Sequence, residues 1–261
     1  MEAFFSATVL GLPVYLILWL FLVYSFLGVL IEGTFCLLVN GVLELRLGLL
    51  YLPLRPLYGF GGVACTLFLH RLLHEPILVF LLGMLICTLV EFADSWVTEK
   101  AFGALSWDYS DKLLNVQGRV CLQYSFCWGV LALVAVYVFD RARPGLAVPA
   151  GGRLGETALT VLLVLVVLSV VLTLAALVRV RDRVDVLRAQ AQGATATAPA
   201  RSWGRLVDRL VPDPVIIASF PRMSLVRELE ELTAGRPRTA VPPDNGHDEV
   251  MALRAQKPHP L

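Results

Sequence analysis

Charge is what this chain has least of. Only 16% of its 261 residues are Asp, Glu, Lys or Arg, against about 25% in an average soluble domain. With 57% hydrophobic residues and a mean hydropathy of +0.72, that scarcity excludes a soluble globular domain and defines a polytopic membrane protein. Paired cysteine motifs are also missing. Cys36, Cys65, Cys87, Cys121 and Cys127 form no CxxC, which argues against a disulfide framework or zinc site and for small apolar packing residues. His70 and His74 are four residues apart beside Glu75, but no third ligand is placed near them. Neither GxxxxGK[ST] nor GxGxxG occurs, so LYGFGG at 57–62 is not a phosphate loop, and any ATP hydrolysis would have to come from a partner. Ser, His and Asp form no recognisable nucleophilic triad. Near the N-terminus there is Glu2 and no basic stretch, and the first apolar run is too long for a signal h-region, so no cleavable signal is expected. No internal repeat is visible. No cofactor, metal or nucleic-acid partner is expected; the lipid bilayer is.

What is present is a series of apolar runs long enough to cross a bilayer as helices. Hydropathy predicts an all-α transmembrane helix bundle of about five spans, near 13–39, 56–74, 76–99, 120–139 and 156–178. The second is the weakest: Pro53 and Pro56 stop any helix before it, Gly59, Gly61 and Gly62 crowd its start, and His70, Arg71 and His74 end it. It reads as a candidate broken or re-entrant element. Lys and Arg cluster on one side of the alternating loops: Arg46 and Arg55, then Lys100, Lys112 and Arg119, then the RVRDR run after span five. The positive-inside rule therefore predicts the N-terminus outside and the C-terminus in the cytoplasm.

Three regions follow from composition. Residues 1–140 form a four-helix membrane unit. Residues 141–192, opened by the hinge ARPGLAVPAGGR, carry a fifth span of nearly pure Val, Leu and Ala, with Ser169 and Thr173 as its polar interior residues, which reads as peripheral and lipid-facing. Residues 193–261 read as a largely flexible cytoplasmic tail with short amphipathic helices. One places Trp203, Leu206, Val207, Leu210 and Val211 opposite Arg201, Arg205, Asp208 and Arg209, a pattern suited to the membrane surface. Another, MSLVRELEELTAG, ends at Gly235. Few contacts are expected to cross the linker before the tail.

Acidic residues inside the spans are the sharpest functional signal, because a carboxylate in hydrocarbon is costly and normally faces a cavity or partner. Glu32 lies in span one; Glu91 and Asp94 lie in span three. Helical periodicity puts Thr88, Glu91, Asp94, Ser95 and Thr98 on one stripe; Ser25, Gly28 and Glu32 on another; and Cys121, Tyr124, Ser125 and Trp128 on a third. Glu32 and Glu91 each precede the end of a span by about eight residues, roughly 12 Å at 1.5 Å per residue. Both ends open on the side of the loop SWDYSDKLLNVQGR. Glu32, Glu91, Asp94, Asp108, Asp111 and Arg119 are thus expected to meet in one vestibule, with Arg119 as counter-ion. The bland alternatives are a polar network that only locks helices together, and for SWDYSD an interfacial aromatic belt.

YSFLGVLIEG (24–33), GLLYLPLRPLYGFGG (48–62) and EFADSWVTEKAFGALSWDYSDKLLNVQGRVCLQYSFCWG (91–129) resemble the bacterial family described as putative ABC-transporter type IV, or CmpB-like. The likeness runs over roughly 19–140. Glu91, Trp107, Asp108, Tyr109, Ser110, Asn115, Gly118 and Arg119 fit its specific part, and Tyr24, Gly28 and Glu32 add to it. The middle stretch departs: where the family tends to show Gly-Pro and Cys-Pro steps, this chain has Leu52-Pro53 and Arg55-Pro56. The resemblance implies a permease-like protein of the bacterial inner membrane and names no substrate. Three readings stay open. One is a transport component with a separate ATPase subunit or working as a homo-oligomer, its site drawn from Glu32, Glu91, Asp94, Ser95, Trp107, Asp108, Tyr109, Asp111, Asn115, Arg119 and Tyr124. Another is an intramembrane enzyme acting on a lipid or isoprenoid, with Glu32 or Glu91 as acid/base and Arg119 holding an anion. The last is a non-catalytic scaffold.

Overall fold

The computed structural model describes residues 5–41, 48–146, 152–195, 197 and 203–234. Arg46, part of the hinge before span five, Arg201, Gly235 and the tail from 235 onward lie outside them. A two-residue hairpin, β1 (Thr8–Val9) and β2 (Leu12–Pro13), leads into α1 (Val14–Asn40). Then come α2 (Pro56–Leu69), α3 (Pro76–Phe102), α4 (Leu122–Leu146) and α5 (Arg153–Ala191). Three short helices close the order: α6 (Gly204–Leu210), α7 (Asp213–Ser219) and α8 (Ser224–Thr233). Local chemistry sets the ends. Pro56 and Pro76 open α2 and α3 at the first turn, where a missing N–H costs nothing. Gly41 and Gly103 end α1 and α3 in the left-handed conformation.

Four described helices, α1, α3, α4 and α5, are long and apolar enough to cross a membrane. The second predicted span is shorter than its apolar run: α2 has 14 residues, about 21 Å of rise against a hydrocarbon core of about 30 Å. The missing length is non-helical backbone. Residues 48–55 fold into a turn through Tyr51 (φ 63°), with Gly48 N–H bonded to the Leu54 carbonyl. At membrane depth such backbone needs protein partners, and it has them. Arg55 N–H donates to the Ser25 carbonyl of α1 (2.9 Å). Leu50 N–H donates to Thr173 Oγ1 (3.0 Å), and Ser169 Oγ donates to the Leu50 carbonyl (2.5 Å). The two polar residues of span five are thus clamps for this segment. Its Val and Leu surface is otherwise largely exposed, as at Val164, Val167, Leu168 and Val171.

α2 packs antiparallel on α1: Gly28 meets Tyr58, Gly59 meets Ser25 and Phe21, and Leu67 joins Leu12 and Leu16. α4 returns along α3, with Gly83 against Ala132 so closely that a Cβ on Gly83 would overlap its methyl. Small residues let backbones approach where lipid gives no hydrophobic drive. α1 and α5 start together, Leu159 packing with Tyr15 and Leu22. At the opposite end Phe102 and Ala104 meet Ala176, Leu177, Val180 and Val184 of α5.

Residues 203–234 also close on that end, which corrects the expectation that few contacts cross into the tail. Val207, Val211, Ile216, Met223, Leu225, Val226 and Leu229 share one buried core with α5, Phe102 and Leu50. Arg179 pairs with Asp208 (2.7 Å) and Asp213 (2.9 Å), Arg183 with Asp213 (2.7 Å), and Arg188 with Glu228 (2.5 Å). The physical reason is that α5 continues past the membrane as an amphipathic helix whose apolar stripe needs cover in water.

Candidate functional site

Glu91 projects from α3 into the bundle and is 3% exposed. Trp128 Nε1 of α4 donates to its Oε2 (2.9 Å), and the Tyr109 hydroxyl approaches its Oε1 at 3.5 Å. Aromatic rings surround these donors. Tyr58 packs on Trp128 (centroids 4.9 Å apart), Tyr109 on Tyr124 (4.7 Å) and Trp107 (6.3 Å), and Phe35 on Tyr124 (6.2 Å). A buried carboxylate is tolerable when its oxygens are hydrogen-bonded, and here two side chains from different segments fix its orientation.

Glu32 of α1 pairs with Arg55 Nε at 2.7 Å, both half-buried. Arg55 thus ties the 48–55 segment to α1 through both its side chain and its backbone N–H. Asp94 is exposed on the α3 surface. Thr88 Oγ1 donates to Ser125 Oγ (2.8 Å), joining α3 to α4 beside Glu91.

Arg119 is engaged elsewhere. Its Nη2 is bonded to Glu99, its Nη1 lies 3.5 Å from Ser95 Oγ, its Nε donates to Gln117 Oε1 (3.3 Å), and its guanidinium lies 5.7 Å over the Phe92 ring. Trp107 Nε1 donates to the Arg119 carbonyl (2.7 Å). Asp108 and Asn115 are used inside their own loop. Asp108 Oδ1 accepts from Ser110 N–H (2.9 Å); Asn115 Nδ2 donates to the Ser110 and Lys112 carbonyls, and its Oδ1 accepts from Gly118 N–H (3.1 Å). Asp111 has the neighbouring Lys112 at 3.6 Å. The loop turns through Leu114, Gln117 and Gly118, all at positive φ, and its bonds hold Tyr109 over Glu91.

Arg55, Glu99, Trp128 and Tyr58 were not among the sequence-derived site residues. Glu99 was within reach: it continues the Glu91–Ser95 stripe by one more turn. Trp128 lay on the predicted α4 stripe. Arg55 counted as a loop charge, because helical periodicity carries no sign that a non-helical segment re-enters the bundle. Among the described residues, no group of three or more His, Cys, Asp or Glu is placed to hold a metal ion. The nitrogen Nδ1 of His70 lies 2.8 Å from the Thr66 carbonyl. The five cysteines are free, with Cys65 and Cys87 packed 3.5 Å apart in the core.

Four membrane-length helices and a buried, hydrogen-bonded carboxylate define a polytopic membrane protein with a polar interior. The family model described as putative ABC-transporter type IV matches residues 19–174, more than half of the chain, and the chain belongs to that family of transport-related membrane proteins. The match extends past residue 140, where the sequence likeness stopped, to the point on α5 where Ser169 and Thr173 clamp Leu50. No curated protein and no solved structure matches the chain.

Proposed function

We propose that the chain is a permease-like membrane component of a transport system, with an acidic intramembrane site opening toward the cytoplasm. One observation carries this reading: Glu91 is buried in the bundle and Glu32 is ion-paired with Arg55, so two carboxylates are held inside membrane-length helices. Such groups are costly there and mark ion, proton or substrate paths. A surplus of acid favours a cationic passenger or a proton. Family membership supports the transport class. The α6–α8 end is cytoplasmic in this reading and the N-terminus lies outside, from the clustering of Lys and Arg. An ATPase, where one takes part, is a separate subunit.

The test compares cells carrying Glu91→Gln with cells lacking the gene. Gln keeps the shape and one acceptor for Trp128 but removes the charge. Normal protein level, with the same changes in cell contents as the deletion, is expected. Wild-type cell contents would reduce Glu91 to a helix-locking residue and overturn the proposal.

A further inference from the structure

α6 carries two apolar stripes one residue apart, so about 100° apart around the helix. Val207 and Val211 face the α5 core. Leu206 (59% exposed) and Leu210 (48%) face outward, with Arg205 and Arg209 exposed on the next flank. An outward leucine pair on a helix already packed by its other apolar face is not explained by the fold.

Two anchors fix the height of that pair. Arg179, the first charged residue after the apolar stretch of α5, pairs with Asp208 of α6. The Tyr51 hydroxyl is bonded to the Leu210 carbonyl, and Tyr51 follows Leu50, which is held by Thr173 and Ser169. Thr173 lies six residues, about 9 Å, to the apolar side of Arg179. Tyr51 (57% exposed) therefore descends from hydrocarbon depth to α6, as an interfacial tyrosine does. The surface from Val171 and Leu174 of α5 through Tyr51 to Leu206 and Leu210 is exposed and apolar.

We propose that α6 lies in the headgroup layer of the bilayer, with Leu206 and Leu210 inserted into its acyl boundary and Arg205 and Arg209 binding anionic phospholipid headgroups. The occupant follows from continuity with the lipid-facing surface of α5 and from charge: insertion of apolar side chains beside a basic flank is the pattern of an interfacial helix. The tail is then a docked membrane-surface element as well as a cover for α5. The inference is independent of any role for Glu91.

The experiment labels Leu206→Cys, and separately Leu210→Cys, with an environment-sensitive fluorophore in full-length protein. Cys127→Ser removes the exposed thiol, and the other four cysteines are buried. The protein is reconstituted into phosphatidylcholine vesicles with or without phosphatidylglycerol. Both labels are expected to be quenched about twofold more by a lipid nitroxide near the headgroup than by one at the bilayer centre, since interfacial helices sit shallowly. They should be shielded from aqueous iodide. Phosphatidylglycerol should strengthen the shallow quenching, and Arg205→Gln with Arg209→Gln should remove that increment. Free quenching by iodide at both positions would place the stripe in water and overturn the proposal. Shielding from both iodide and lipid nitroxides would mean protein, such as a second copy, covers it, and would overturn it equally.

Discussion

The membrane bundle and the α6–α8 end are held by different forces, and α5 passes through both. Between Arg153 and Leu177 its hydrogen-bonded tie to the 48–55 segment is two hydroxyls on one residue, Ser169 and Thr173 on Leu50. Beyond Arg179 it is covered by seven buried apolar side chains and a row of ion pairs. Lipid is as apolar as leucine, so inside the bilayer close backbone approach and hydrogen bonds decide packing. In water, burial of apolar area decides it. Polar residues therefore carry more information in the membrane half. An ion pair such as Arg188 with Glu228 is ordinary at a wet surface, whereas Glu32 with Arg55 is not.

That contrast is sharpest under truncation. Ending the chain before residue 203 uncovers Leu50, Phe102, Val180 and Val184 and removes the seven apolar partners. The loss is on the order of 10 kcal/mol of burial from transfer values for such side chains, an upper figure given a compact unfolded state. The expected outcome is aggregation during gel filtration in detergent; a monodisperse truncated protein would show that the membrane bundle needs no cover. A smaller effect is expected from Gly83→Ala, whose methyl would overlap that of Ala132. Overpacking of this kind costs about 1–3 kcal/mol, read as a lower unfolding temperature in detergent, and an unchanged temperature would mean α3 and α4 separate freely. The smallest belongs to Ser169→Ala, where removal of one membrane hydrogen bond costs about 0.6 kcal/mol. It should barely move unfolding, yet raise hydrogen exchange in residues 48–55.

The helices of the bundle were legible because an apolar run of membrane length leaves few alternatives, and Pro53 and Pro56 announced the break in span two. The stripes that hold Glu91, Ser95, Thr88 and Ser125 were legible from the helical repeat. What the repeat could not give was contact between distant segments. Leu50 and Ser169 are 119 residues apart, and Arg55 reaches Glu32 only because backbone without periodicity turns back into the bundle. In the loop at 107–119, Asp108 and Asn115 accept from backbone N–H groups of their own loop, a use that composition cannot separate from a ligand site. For α6 the amphipathic pattern was visible, but an apolar stripe does not say whether lipid or protein will cover it. Here Val207 and Val211 face protein, while Leu206 and Leu210 do not.

Asp94 offers the most direct test of the acidic site, because it is the exposed carboxylate about one turn from Glu91 on α3. Asp94→Cys, in a background with Cys127→Ser, is treated with a membrane-impermeant thiol reagent in inside-out and right-side-out membrane vesicles. A site open to the cytoplasm predicts labelling in inside-out vesicles and none in right-side-out ones, while a thiol on a lipid-facing surface resists the reagent in both. Protection in both orientations, or labelling only from outside, would contradict a cytoplasm-facing acidic site.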